Sequence, residues 1–170
     1  MKKILSILFV TCIALTIQAQ KCKFDFEKKD PFTGKTTIGI TATLEKAWKI
    51  GFNRSENDYL IGLAINFAGV KEGIINKGDT LMIALENGEP IILIASDKAL
   101  PTSDVVGSGG YEQIQTWYQP RYIPNSEQMR QFSLEKVIAI RVYFGTVWYM
   151  IEISSKNAEK IIKAASCILK

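Results

Sequence analysis

After its first twenty residues this chain is patterned for strands almost throughout, and that period of two limits the folds open to it. Alternation sends successive side chains to opposite faces of an extended chain, which suits a half-buried sheet. The clearest run is Thr36–Glu45. There Thr37, Gly39, Thr41 and Thr43 alternate with Ile38, Ile40, Ala42 and Leu44, giving one polar and one aliphatic face. Lys23–Glu27 alternates too, with Phe24 and Phe26 opposite Asp25. Between the two runs, Asp30-Pro31-Phe32-Thr33-Gly34-Lys35 carries the proline and glycine of a turn.

Further strands follow. Tyr59–Ala68 is apolar enough to be central in a sheet. Asn87-Gly88 between Thr80–Glu86 and Glu89–Ala95 predicts a type I′ hairpin, since both turn residues tolerate positive φ. Pro90 cannot donate a ladder bond, so the returning strand is expected at a sheet edge. Val137–Phe144 and Thr146–Ile153 form a pair around Gly145, with Ile138, Ile140, Val142 and Phe144 sharing one face. Helical spacing occurs twice. Asn125 caps a short helix, with Gln128 three residues on. Ser155–Leu169 is amphipathic, with Ala158, Ile161, Ile162, Ala165 and Ile168 on one stripe and Lys156, Glu159, Lys160 and Lys163 on the other. The expected fold is mainly β (α+β): an antiparallel sheet of about seven to nine strands with the C-terminal helix packed on it. Partial barrel and sandwich both remain open.

The first residues have another character. Lys2 and Lys3 precede the apolar run Ile4–Ile17, and Gln18-Ala19-Gln20 follows as a small-residue exit. That order reads as a secretory signal peptide over 1–19, too short to span a bilayer comfortably, ahead of one domain over 20–170. The mature chain is then expected in the periplasm or secreted, with no transmembrane segment. Loss of Lys2 and Lys3 lowers the basic count from 21 to 19 against 17 acidic residues. That balance argues against nucleic acid as a partner. Cys12 leaves with the signal. Cys22 and Cys167 remain, one at each end, and an even count in an exported domain favours a disulfide over two free buried thiols.

The chain has no histidine. Ser-His-Asp and Cys-His catalysis and imidazole ligation of metal are therefore excluded, and paired cysteines would leave no thiolate for zinc or nucleophilic attack. No metal, cofactor or catalytic residue is assigned. Paired carboxylates acting on a glycosidic bond remain formally open, but no pair is marked by its context. Glu152, beside Trp148 and Met150, reads as a solvent-facing strand residue, and Ser155-Lys156 as a helix cap rather than a catalytic pair. The segment Val105–Pro124 stands out. It combines Gly107-Ser108-Gly109-Gly110 with Tyr111, Trp117, Tyr118, Arg121 and Tyr122: flat faces for stacking and a guanidinium for a polar or anionic group. These five residues form the candidate ligand site. The alternative is that the aromatics complete the core.

The signal exit, Cys22, the turn at 30–35, the Ile138–Phe144 strand, the block Asn157-Ala158-Glu159-Lys160-Ile161-Ile162-Lys163-Ala164 and the terminal Cys167 occur together. In this the chain resembles small exported proteins of unknown function common in Bacteroidetes. The resemblance covers the two ends, implies a bacterial envelope setting and supports the end-to-end disulfide; it supplies no activity. The leading expectation is an exported, non-catalytic binding or accessory protein with a small molecule, glycan or protein as partner. The alternatives are a carboxylate-based hydrolase of glycans or peptides, and a protein inhibitor of an envelope or host enzyme.

Overall fold

A computed structural model describes residues 22–107 and 112–170, so the segment read as a signal and Tyr111 lie outside the described residues. Among the described residues eleven strands and two helices are formed: β1 (Phe26–Lys29), β2 (Thr36–Thr43), β3 (Lys49–Ser55), β4 (Asp58–Ala68), β5 (Thr80–Leu85), β6 (Ile91–Ile94), β7 (Thr102–Val106), β8 (Gln113–Tyr118), β9 (Arg121–Tyr122), α1 (Ser126–Leu134), β10 (Val137–Phe144), β11 (Val147–Glu152) and α2 (Ser155–Ile168). A seven-stranded sheet runs β1-β2-β3-β4-β8-β7, with β9 also on β4, and a four-stranded sheet runs β11-β10-β5-β6. All pairs are antiparallel. The large sheet curls into a half-barrel, and α2 packs on it.

The core lies inside that curl. Ile50, Phe52, Ile61, Leu63 and Ile65 of the large sheet are buried in one cluster with Leu81, Ile83, Ile140 and Val142 of the small one and with Ile161, Ala165 and Ile168 of α2. From α1, Phe132 stacks edge-on against Phe52 at 5.3 Å between ring centres. The capping box expected at Asn125 is formed, with Asn125 Oδ1 accepting from Gln128 N–H at 2.8 Å. Asp30 holds its turn by accepting from the N–H groups of Phe32 and Thr33, and Gly34 takes the positive φ of 73°.

Several expectations are corrected. Neither Asn87 nor Gly88 has a positive φ, so no type I′ turn forms there. Glu86 N–H is instead held by Lys136 O, and the link stays open until Pro90 has passed and β6 begins, at the edge of its sheet. The left-handed pair occurs at Lys46 and Ala47, with φ of 54° and 63°, in the β2–β3 turn. Ile138 is exposed, because a register shift between Val137 and Ala139 turns Val137 inward in its place. Phe24 and Phe26 part company. Phe24 packs on the core, whereas Phe26 lies on the outer face of β2. The cap of α2 is Ser154, one residue before Ser155.

That cap depends on a distant residue. Ser154 makes no side-chain cap bond to its own helix. Glu45, from the β2–β3 turn, accepts from Ser154 N–H (3.2 Å), Ser154 Oγ–H (2.6 Å) and Asn157 Nδ2 (2.8 Å). A carboxylate at a helix N-terminus also meets the positive end of the helix dipole. These bonds, from the Ser154 hydroxyl first and then Asn157, hold the Glu45 carboxyl below its ordinary value. At the other end of α2, Cys167 is joined to Cys22 with 5.6 Å between Cα atoms, a spacing that disulfides commonly span. Closing a loop of 145 residues constrains the unfolded chain by about 5 kcal/mol in the chain-entropy account.

Ile161 is fully buried and Ile162 only half so. Ile161→Ala is expected to cost about 2–5 kcal/mol in urea unfolding, Ile162→Ala distinctly less, and Lys156→Ala almost nothing. Equal losses for the two isoleucines would mean the helix is rotated from this placement. A second expectation concerns pH. A depressed carboxyl stabilises the fold above its unfolded pKa and loses that effect as pH falls through the folded one. The melting-temperature gap between wild type and Glu45→Gln should be full at neutral pH and close below the ordinary value of 4.5. A gap that does not change with pH would remove the ionised cap from the account.

Candidate functional site

Four residues stand opposite one another on the outer face of the large sheet: Thr41 of β2, Gly51 of β3, Gly62 of β4 and Arg121 of β9. They share that face because their strand neighbours Ile50, Phe52, Ile61, Leu63 and Tyr122 point into the core. The row alongside contains Thr43, Lys49 and Ala64. Two adjoining glycines in the middle of a sheet are costly, each by roughly 0.5–1 kcal/mol relative to alanine. Here neither backbone nor packing requires them. Both lack a positive φ. A Cβ would meet nothing closer than 3.8 Å at Gly51 and nothing within 4 Å at Gly62.

Gly39, one row away on the same face, provides the contrast. Its Cβ position is occupied by the ring of Phe26 and the side chain of Asn53. A glycine on this surface thus already carries a flat ring supplied by the chain itself. Gly51 and Gly62 have no such cover. An interior strand glycine often marks a bulge, a tight bend or the close approach of a ligand or another backbone.

The paired glycines floor a depression of about 470 Å³ walled by Asp25, Thr41 and Lys49 on one side and by Gln119, Pro120 and Arg121 on the other. Asp25 Oδ2 accepts from Thr41 N–H at 2.6 Å, so the acid in this wall is engaged with the edge of β2. Gln119 is shared with a neighbouring depression of about 290 Å³, lined also by Leu100, Thr102 and Trp117. The two together make one trough from the edge of β2 to the indole of Trp117.

The residues singled out in the sequence divide across the sheet. Trp117 is half-buried on the outer face and Arg121 is exposed there. Tyr118 and Tyr122 point inward and are buried. The Tyr118 hydroxyl donates to Gly73 O at 2.8 Å, and its ring packs edge-on against Phe144 at 4.9 Å. Burial pushes both phenols above their ordinary pKa, Tyr122 more strongly. The cause is parity. From Thr116 to Pro124 even-numbered residues are buried and the odd-numbered ones are not, so neighbours in sequence face opposite ways. Tyr111 lies outside the described residues. Glu152 is exposed on the outer face of the small sheet, along with Trp148 and Met150, where the guanidinium of Arg141 lies 4.5 Å from the Trp148 ring centre.

Sequence reasoning passed over Thr41, Lys49, Gly51 and Gly62. The available signal was glycine on the polar parity of two strands, where threonine or lysine is the usual occupant. Chemically the trough offers an indole face, a guanidinium, an ammonium, amide and hydroxyl groups and bare backbone. Asp25 is its single carboxylate, so two facing acids for glycoside hydrolysis are not assembled there. Among the described residues no cluster of three or more metal-ligating side chains occurs.

No known protein family matches the chain, and neither a curated protein nor a solved structure is significantly similar to it.

Because the space above it is open, Gly62→Val should leave the melting temperature unchanged or raise it, by about 0.5–1 kcal/mol of stability. A clear loss of stability would return the glycine to a structural role.

Proposed function

We propose that this is an exported, non-catalytic binding protein of the bacterial envelope, taking its ligand on the outer face of the large sheet. One observation carries the reading: two paired glycines that neither backbone nor packing demands, set between Thr41 and Arg121. The ligand lies flat over Gly51 and Gly62, half-buried residues with open space where a Cβ would stand. Arg121 and Lys49 engage its polar or anionic groups, and Trp117 stacks on a ring at the far end. Binding there needs no movement of the core, since the walls stand on adjacent strands of one sheet. Export is supported by the apolar leader and by the Cys22–Cys167 bond, which belongs to an oxidising compartment.

Two measurements test it. Titration with galacturonate trimers, a probe with both rings and carboxylates, should change the tryptophan fluorescence saturably. That change should be lost in Trp117→Phe and in Gly62→Val, with melting temperatures no lower than wild type. A response untouched by Gly62→Val would move the site elsewhere. For export, N-terminal sequencing of the protein secreted by its cells should begin at Gln20 or Lys21; retention of Met1 would overturn that part.

A further inference from the structure

A second depression, of about 410 Å³, adjoins the first at Asp25 and Thr41 and lies between the edge of β2 and the wet side of α2. Lys23, Lys160 and Lys163 line it. With Lys49 and Arg121 the continuous surface therefore presents five cations and one carboxylate, Asp25. The mature sequence as a whole is nearly balanced, 19 basic residues to 17 acidic, so this is a concentration of charge and not a sample of the composition. Among the described residues none of the five is in an ion pair; those formed are Lys35–Glu56, Arg130–Glu127 and Lys136–Glu86, all elsewhere. Lys160 donates to Asn157 Oδ1 and lies near Glu45, whose carboxylate is taken up by the start of α2.

We propose that the ligand is an acidic polysaccharide, a chain bearing a carboxylate or sulfate on successive sugars, that runs from Lys160 and Lys163 across Lys49 and Arg121 to Trp117. The inference rests on the binding site proposed above and names its substrate class. Spacing argues for a chain. From β2 to β9 is three strand spacings, about 14 Å, and the lysines of α2 lie beyond the β2 edge. A single small anion cannot meet cations spread over that distance, whereas a polymer with repeated charges meets them in turn. The form of the surface argues for sugar. Extended peptides are commonly taken up by sheet edges, where they continue the ladder, but this trough crosses strands over a sheet face. Its Cβ-less floor, its indole and the amide of Gln119 suit pyranose rings and their hydroxyls.

The test uses the mature protein with polygalacturonate, the same polymer fully methyl-esterified and hence neutral, and poly-L-glutamate. Polygalacturonate should bind most tightly and more weakly as salt rises. Lys160→Glu/Lys163→Glu should weaken it roughly tenfold, and Lys28→Glu/Lys77→Glu, the same charge change on exposed residues outside the trough, should not. Equal weakening by both pairs would reduce the effect to diffuse charge and overturn the proposal. Poly-L-glutamate binding as tightly as polygalacturonate would overturn the sugar class. Equal binding of the esterified polymer, lost in Trp117→Ala but unaffected by the lysine reversals, would overturn the acidic class while leaving the outer-face site standing. Loss of polymer binding in Gly62→Val as well as in the lysine pair would support one continuous site.

Discussion

The fold depends on keeping α2 inside an open curl of sheet. A half-barrel leaves its concave side exposed, and here the helix stripe of Ala158, Ile161, Ala165 and Ile168 fills part of it. A fourteen-residue helix is marginal by itself in water, so its position must come from outside the helix. It is fixed at both ends. Glu45 accepts from the N–H and hydroxyl of the cap residue Ser154 and from the side-chain amide of Asn157, and Cys167 is bonded to the segment that leads into β1. Of the two, the carboxylate is the more informative. It sits at the tip of the β2–β3 hairpin, on a turn whose two central residues, Lys46 and Ala47, hold left-handed φ without being glycine. That conformation costs roughly 1–2 kcal/mol per residue, and it is tolerated where Glu45 reaches α2 while Trp48 enters the core.

Locking the inside frees the outside. Since the concave face is filled by side chains and helix, the outer face of β2, β3, β4 and β9 can vary without loss of core. It is on that face that residues contrary to strand preference are found. Gly39 is explained by Phe26 lying over it. Gly51 and Gly62 are not explained by anything in the chain, and they fall in register with each other and with Arg121. Two weak positions paired across adjacent strands, beside a guanidinium on a third, are hard to ascribe to unrelated local causes.

Much of the fold was legible because alternation survives in a single sequence. The faces of β2, the Asn125 capping box, the stripe of α2 apart from Ile162, and the pairing of Cys22 with Cys167 followed from period and from the expectation of export. β3 did not, since its large apolar positions are only Ile50 and Phe52, with glycine and polar residues between and after them. The bulge at Val137 was equally hidden; a shift of one residue is written in the ladder and not in the composition. The candidate site was half legible for a related reason. Trp117, Tyr118, Arg121 and Tyr122 were grouped by nearness in sequence, whereas a strand separates neighbours and unites residues two apart. Its other half, Gly51, Gly62 and the lysines of α2, lies far away in the chain and carries no motif. Only pairing register brings it together.

Asp25 shows why the trough stays basic. In a ring of lysines and arginine a lone carboxylate would ordinarily neutralise a neighbour. Here it accepts from Thr41 N–H, one residue before β1 begins its pairing with β2. The carboxylate stands where a further strand residue would offer its carbonyl, so it ends the ladder and blunts the free edge of β2 against strand addition. A charge engaged by backbone is less available to Lys49 or Lys23. The same contact therefore discourages strand addition at the sheet edge and leaves the cations beside it without an ion pair among the described residues, as the proposed ligand would require.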